Sequence, residues 1–321
     1  MSLALRKALQ TITPFALMLL LALPSFAQVS LRRALDYDGD NKADPAVFRP
    51  TGNVWYILRS TLGFTAAQFG VATTDTPCPG DYDGDGKGDI CVWRDTDGTF
   101  YYLKSMTGTF AAQQFGTSGD EPIPRQWDGD AAGKTDFAVA RRSGGLLYWY
   151  VLTNTATPTF SSVQFGLAGD YAIPGDYDGD GKFDQAVQRP TSTAPNTPSN
   201  VYILKSTGGV QSLQWGYGND FFAPGDYDGD GKTDLCAVRD TGGGLIWYIL
   251  NSSNSSVTGY QFGTSATDFL AQNDYDGDGK TDIAVWRDTT GSFYIQGSTS
   301  GFQSIQFGAS GDFPIAAQDT H

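Results

Sequence analysis

Asp226-Tyr227-Asp228-Gly229-Asp230-Gly231-Lys232-Thr233-Asp234 places four carboxylates at positions 1, 3, 5 and 9 of a nine-residue stretch built from turn formers. The same spelling returns from Asp274 to Asp282 and, with small changes, from Asp36, Asp81 and Asp176; a sixth version starts at Gln126. A second mark keeps the same beat. Gln-Phe/Trp-Gly begins at Gln68, Gln114, Gln164, Gln214, Gln261 and Gln306, at spacings of 46, 50, 50, 47 and 45 residues. Periods of this size belong to four-stranded propeller blades or to helical arrays.

The residues between the marks separate the two. In the second unit Asp89-Ile90-Cys91-Val92-Trp93-Arg94 is a short β-rich run, Thr99-Phe100-Tyr101-Tyr102-Leu103 a second, rich in aromatics, and residues 111–115 a third, and Glu121-Pro122-Ile123-Pro124 leads into the next acidic loop. Gly, Asp and Thr turns separate them at the spacing of short strands. No window long enough for a helix escapes a Gly or Pro. Four strands per unit and six units predict an all-β propeller of six blades. Asp312-Phe313-Pro314-Ile315-Ala316 matches the start of a unit yet no acidic loop follows it, so this C-terminal strand is expected to complete the first blade and lock the ring. Seven blades stay open if Leu31-Arg32-Arg33-Ala34-Leu35 belongs to a different blade from Phe313. The Ser/Thr/Pro-rich stretch around Asn196 to Asn200 reads as a longer loop rather than a domain boundary.

Before the repeats stands an export signal. Arg6 and Lys7 precede a nine-residue apolar run from Phe15 to Leu23, too short to span a bilayer as a helix; Pro24 breaks it, and Ser25-Phe26-Ala27 has the small-x-small pattern of a cleavage site. Residues 1–27 are therefore expected to be a signal peptide and 28–321 a single propeller, secreted or periplasmic, with no membrane span after cleavage. Loss of Arg6 and Lys7 takes the net charge from −14 to −16. Such a charge argues against nucleic acid, whose phosphates need a basic face. The lone histidine, His321, is the last residue, which leaves histidine-dependent catalysis almost nothing to work with.

The acidic loops read as calcium sites. Expected ligands are Asp36, Asp38, Asp40 and Asp44; Asp81, Asp83, Asp85 and Asp89; Asp176, Asp178, Asp180 and Asp184; Asp226, Asp228, Asp230 and Asp234; and Asp274, Asp276, Asp278 and Asp282. Hard carboxylate oxygens on a flexible loop suit Ca²⁺ better than Mg²⁺, and there is none of the nitrogen or sulfur that zinc prefers. An EF-hand needs Glu at position 12, where these loops carry Val92 or Ala237, and flanking helices. In the third loop Gln126 replaces the first Asp and Ala131-Ala132 are inserted before Gly133, so from Gln126 to Asp136 a weak or empty site is expected. Asn41 stands where other loops have glycine and tolerates the left-handed conformation. The loops hold 23 of the 35 acidic residues; about five Ca²⁺ ions would bring the net charge from −16 to −6.

The run from Pro224 to Leu235 resembles the FG-GAP/VCBS repeat, the unit of the integrin α-subunit propeller, over nearly all of the chain after the leader. The resemblance implies calcium in the hairpins between the first two strands of each blade. Integrin heads have seven blades and further downstream domains, and related repeats occur in secreted bacterial proteins and in lectins.

Three other features repeat. An arginine five residues after each ninth loop position (Arg49, Arg94, Arg141, Arg189, Arg239, Arg287) and an Asp heading each unit (Asp75, Asp120, Asp170, Asp220, Asp268, Asp312) read as a structural ion pair in every blade, or else as an arginine ring for acidic ligands. Aromatic pairs such as Trp55-Tyr56 and Trp247-Tyr248 pack between blades, or stack on sugars where exposed. Cys91 and Cys236 take the place of small residues; Cys78 faces Cys91 across the second loop, and an exported protein could join them. No acidic residue stands apart from the repeat as a catalytic one would. The expectation is a calcium-stabilised module of interaction or adhesion, not an enzyme, with an extracellular protein partner; a lectin with sugar pockets between blades is the alternative, and a carboxylate- and calcium-dependent enzyme comes third.

Overall fold

The structure, a computed structural model, describes residues 34–315 apart from 72, 73, 193 and 195. The expected leader, Leu31 to Arg33, Ala316 and His321 lie outside the described residues. Among the described residues all regular structure is β-strand, in six four-stranded antiparallel sheets. The second blade shows the pattern: Asp75–Pro77 innermost, then Ile90–Arg94, Thr99–Leu103 and, outermost, Phe110–Gln114. Its acidic loop joins the first two strands, and the bridge Gly80↔Asp89 closes it.

Six blades, not seven, complete the ring. The first blade takes its innermost strand, Phe313–Pro314, from the far end of the chain, with Val47 opposite Pro314 and Phe48 opposite Phe313. Ile315 continues it by donating to the Ala46 carbonyl at 2.8 Å, and Leu35 accepts from Asp44 N–H at 2.8 Å where the strand would run on into the loop. One innermost strand is thus split between the two ends of the described chain. Where the sequence suggested a loop through Asn200, the third strand of the fourth blade already starts at Pro198, because Asn200 pairs with Arg189 and Gln214.

Each blade is a poor core by itself and buries its faces against its neighbours. Six apolar clusters do this, one per junction. In one, Trp286 and Phe293 of the sixth blade pack with Val47 of the first; in another, Trp93 and Phe100 of the second pack with Phe137 and Val139 of the third. Trp55, Trp93, Trp149, Trp247 and Trp286 are all buried, so the inter-blade reading of the aromatics holds. Their indole N–H groups donate to the Phe carbonyl of the Gln-Phe-Gly mark, at 3.1 Å for Trp55 to Phe69 and 2.8 Å for Trp247 to Phe262. In the fourth blade the Ser199 hydroxyl does the same for Trp215, at 2.6 Å. The glycine of the mark then turns the chain toward the next blade. Gly70 has φ +104°, and a Cβ there would lie 3.2 Å from both Asp75 Oδ2 and Val92 Cγ1, so only glycine fits without strain.

The arginine–aspartate repeat is structural. Arg94 Nε and Nη2 grip Asp75 at 2.8 and 3.0 Å; five matching two-point pairs occur, and Arg49–Asp312, at 2.7 Å, clasps the two ends of the ring. Each guanidinium also lies over a tyrosine, as Arg49 does over Tyr56 at 4.5 Å. One edge and one face of each guanidinium are thus committed within the blade. Cys78, Cys91 and Cys236 are free and buried, the first two with sulfurs 3.2 Å apart. One acidic residue does stand apart. Glu121, the only glutamate in the chain, pairs with Arg142 at 2.6 Å, and Arg142 also donates to the carbonyls of Ala168 and Asp170, bracing the third blade against the fourth.

Candidate metal centres

Five of the six loops are shaped by the same few hydrogen bonds. Position 1 turns the chain: Asp226 Oδ1 accepts from Gly229 N–H at 2.6 Å and Oδ2 from Gly231 N–H at 2.9 Å, and Asp36, Asp81, Asp176 and Asp274 do likewise. The residue at position 6 must adopt positive φ, which it does at +88° for Gly231 and +69° for Asn41, as expected of asparagine. Position 5 accepts from the lysine N–H two residues on, at 2.9 Å for Asp230. The tyrosine at position 2 points inward, its hydroxyl donating to the innermost strand, Tyr227 to Ala223 O at 2.8 Å. At the split strand the matching hydroxyl, Tyr37, has no partner among the described residues.

These bonds draw the carboxylates together in five loops. Oxygens of Asp36, Asp38 and Asp40 lie within 4.8 Å of one another, as do those of Asp81, Asp83, Asp85 and of Asp226, Asp228, Asp230; the remaining groups are Asp176, Asp178, Asp184 and Asp274, Asp276, Asp282. Each group joins positions 1 and 3 with either position 5 or position 9. Asp44, Asp89 and Asp234 stand outside the groups of their loops, as do Asp180 and Asp278.

Position 9 has a second task. Asp234 Oδ2 accepts from Tyr227 N–H and Oδ1 from Ser252 N–H, at 2.8 and 2.7 Å. The turn between the third and outermost strands is thereby pinned to the acidic loop. All six blades repeat this, including the third, where Asp136 accepts from Trp127 and Asn154. Position 9 is thus more than the ligand expected from its spacing, and the turn residues it holds lie outside the loop motif. Ser60, Ser105, Ser206 and Ser298 each donate through both N–H and hydroxyl, to positions 9 and 5. Thr61 and Thr299 grip position 3, Asp38 and Asp276, in the same way. Their one signal in the sequence is a Ser-Thr pair recurring before the outermost strand, at 60–61, 206–207 and 298–299.

Burial governs the inner carboxylates of all six loops. It pushes Asp44, Asp89, Asp226, Asp282 and, in the third loop, Asp136 up to about 7 and Asp176, Asp184 and Asp234 up to about 6, against the amides that hold them low. Asp38 and Asp276 go the other way: burial raises them, but the donors of the turn outweigh it. On Asp38, Asp178 and Asp276 the second oxygen, Oδ1, is buried with no hydrogen-bond partner. Three buried, unpartnered oxygens, each on a carboxylate of a three-acid group, fit a cation that accepts several hard oxygen ligands.

The third loop is bonded differently, and its Gln126 Oε1 is buried without a partner among the described residues. Gln126 Nε2 donates to Asp130 O at 2.8 Å and to Asp130 Oδ1 at 3.3 Å, while Asp130 Oδ1 also accepts from Gly133 N–H at 2.8 Å. An amide donates where the other loops turn carboxylates inward.

No protein-family model matches the sequence, and no curated protein matches it. Among solved structures, a lectin of Agrocybe aegerita, described by its specific recognition of non-reducing terminal N-acetylglucosamine, is similar over 84% of this chain and 90% of that one, with a TM-score of 0.53 and 15% identity. A luciferin-regenerating enzyme is similar over 82% and 80%, with a TM-score of 0.46 and 13% identity. The first likeness shows the propeller fold; the second carries no argument.

Proposed function

We propose that the chain is an exported propeller of the FG-GAP/VCBS kind, held together by calcium, that serves as an extracellular binding module. The observation that carries the calcium reading is the set of buried, unpartnered Oδ1 atoms on Asp38, Asp178 and Asp276. Carboxylates at positions 1 and 3 would hold the ion, joined by position 5 in the first, second and fifth loops and by position 9 in the fourth and sixth. The ion supplies positive charge to carboxylates that burial otherwise leaves costly to ionise. At calcium about ten times Kd each site adds ~1.4 kcal/mol. Five sites sum to ~7 kcal/mol, on the scale of a whole domain's stability. Calcium is structural on this reading, and adhesion or partner binding is left to the surface of the ring.

A glycan-binding role is the second reading, and a cavity favours it. Between the sixth and first blades lies a space of about 600 Å³ with Leu58, Ile295 and Ile305 as its apolar floor and Lys42, Arg59 and Gln303 at its polar edge. A glycan array probed with the calcium-loaded protein, beside a chelated sample, separates the two. Binding of a defined sugar that Leu58→Trp abolishes supports the lectin reading; silence from a folded, loaded sample overturns it and directs the search to protein partners.

A further inference from the structure

The six acidic loops are not separate. The N–H of each eighth loop residue donates to the carbonyl of the first residue in the preceding loop: Gly88 to Asp36, Thr135 to Asp81, Thr233 to Asp176 and Thr281 to Asp226, all at 2.7 Å. Ala43 to Asp274, at 2.8 Å, closes the circle, and the longest link, Phe183 to Gln126 at 3.1 Å, is the one that leaves the third loop. Side chains reinforce the links. A Cβ on Gly225 would lie 2.5 Å from Thr281 Oγ1, and one on Gly229 would lie 2.8 Å from Lys280 Cε, so the following loop is seated directly on the backbone of the one before.

Each link joins two ligand-bearing segments. The peptide that accepts belongs to position 1 of one loop, and the residue that donates precedes position 9 of the next. An ion that fixes position 1 therefore also fixes the anchor of residues 7 to 9 in the following loop. The ordering entropy of that segment is then already spent when the second ion arrives. Repulsion between neighbouring ions opposes this, but the carboxylates grouped in each loop offset the charge of the ion they hold, and physiological salt screens exposed charges beyond about 8 Å. From this geometry we infer that calcium binding is cooperative between adjacent loops. The inference rests on the calcium reading above. Because the third loop, with Gln126 at its first position, gathers no three-acid group, the five remaining loops form an open run in the order four, five, six, one, two. Loop six is its middle, and loops two and four are its ends.

Position in the run gives the test. Calcium is titrated calorimetrically into the chelator-treated full chain and into Asp276→Asn, in loop six, and Asp83→Asn, in loop two, with circular dichroism confirming the fold. Each variant loses one loop of five. Cooperativity predicts a Hill coefficient above about 1 for the parent. Asp83→Asn leaves a run of four and stays steep. Asp276→Asn leaves two pairs, flattens the curve and weakens the surviving sites by about 5-fold or more. Equal, non-cooperative curves for all three overturn the coupling and leave the calcium reading standing, whereas no binding to the parent at millimolar calcium overturns that reading itself. If Asp276→Asn fails to fold, Asp274→Asn and Asp81→Asn make the same comparison at position 1, which belongs to the acid group in both loops.

Discussion

The third and fifth acidic loops have one hairpin and two chemistries. Both pin the distant turn through position 9, with Asp136 accepting from Asn154 and Asp234 from Ser252, each at 2.7 Å. Both reverse the chain through a glycine of positive φ, Gly133 and Gly231. They differ at the first position, where Asp226 only accepts and Gln126 donates across the loop to Asp130. The hairpin therefore does not depend on the capacity for metal. Position 9 and the turn hold the blade, while positions 1, 3 and 5 gather the charge.

The largest effect that sharpens this contrast comes from removing calcium. Chelation is expected to lower stability by ~7 kcal/mol, a fall in Tm of about 10 °C for a chain of this size, read by calorimetry with and without chelator. The effect grows with pH. The folded chain holds the raised carboxylates, at about 6 to 7, more tightly protonated than the unfolded chain does. Metal-free stability is therefore highest in acid and declines as pH rises through 6 to 7. Calcium favours the ionised form in five loops and leaves the part of the decline that belongs to the third, where Asp136 is raised to about 7. A chelated sample whose Tm rises from pH 5 to 8 would break the account.

Next in size is the pin. Asp136→Ala and Asp234→Ala each leave three backbone N–H groups without their carboxylate partner, for a cost of about 3 kcal/mol in chelator. Denaturant melts should show equal losses in the two loops; a harmless Asp136→Ala would mean that the third hairpin is held otherwise. A graft asks for less. Gln126→Asp with Ala131 and Ala132 deleted turns the third loop into a copy of the fifth, and calorimetric stoichiometry should rise by one ion, with ~1.4 kcal/mol of added stability at about ten times Kd. Smallest is the backbone that both loops share: Gly133→Ala and Gly231→Ala should each cost about 1 kcal/mol, with or without calcium.

Much of this was legible from residue spacing. The Asp-Tyr-Asp-Gly-Asp beat and the Gln-Phe-Gly mark gave the blade count, because each recurs once per unit. Arg94 and Asp75 could be matched as partners because the pair repeats six times at fixed offsets. The departure of Gln126 was visible as a changed letter, though not the hydrogen bond it makes to Asp130. Ser60 and Ser298 escaped notice because serine before a strand is commonplace, and only the folded blade brings residues 16 positions apart together, as in Ser60 to Asp44 and Ser298 to Asp282. The links between loops left no trace at all. They join backbone groups such as Thr233 N–H and Asp176 O, which every residue type but proline supplies.

The split strand of the first blade bears on how the ring assembles. Its ion pair, Arg49 with Asp312, spans 263 residues, whereas Arg94 and Asp75 make the same contact across 19. Loop-closure entropy grows only as the logarithm of length, so the long-range clasp costs about 2 kcal/mol more than its local copies. Five blades can fold as hairpins from neighbouring sequence. The sixth junction must wait for both ends of the described chain to meet, which makes its closure the slow, late step of folding and its opening the first event when the ring comes apart.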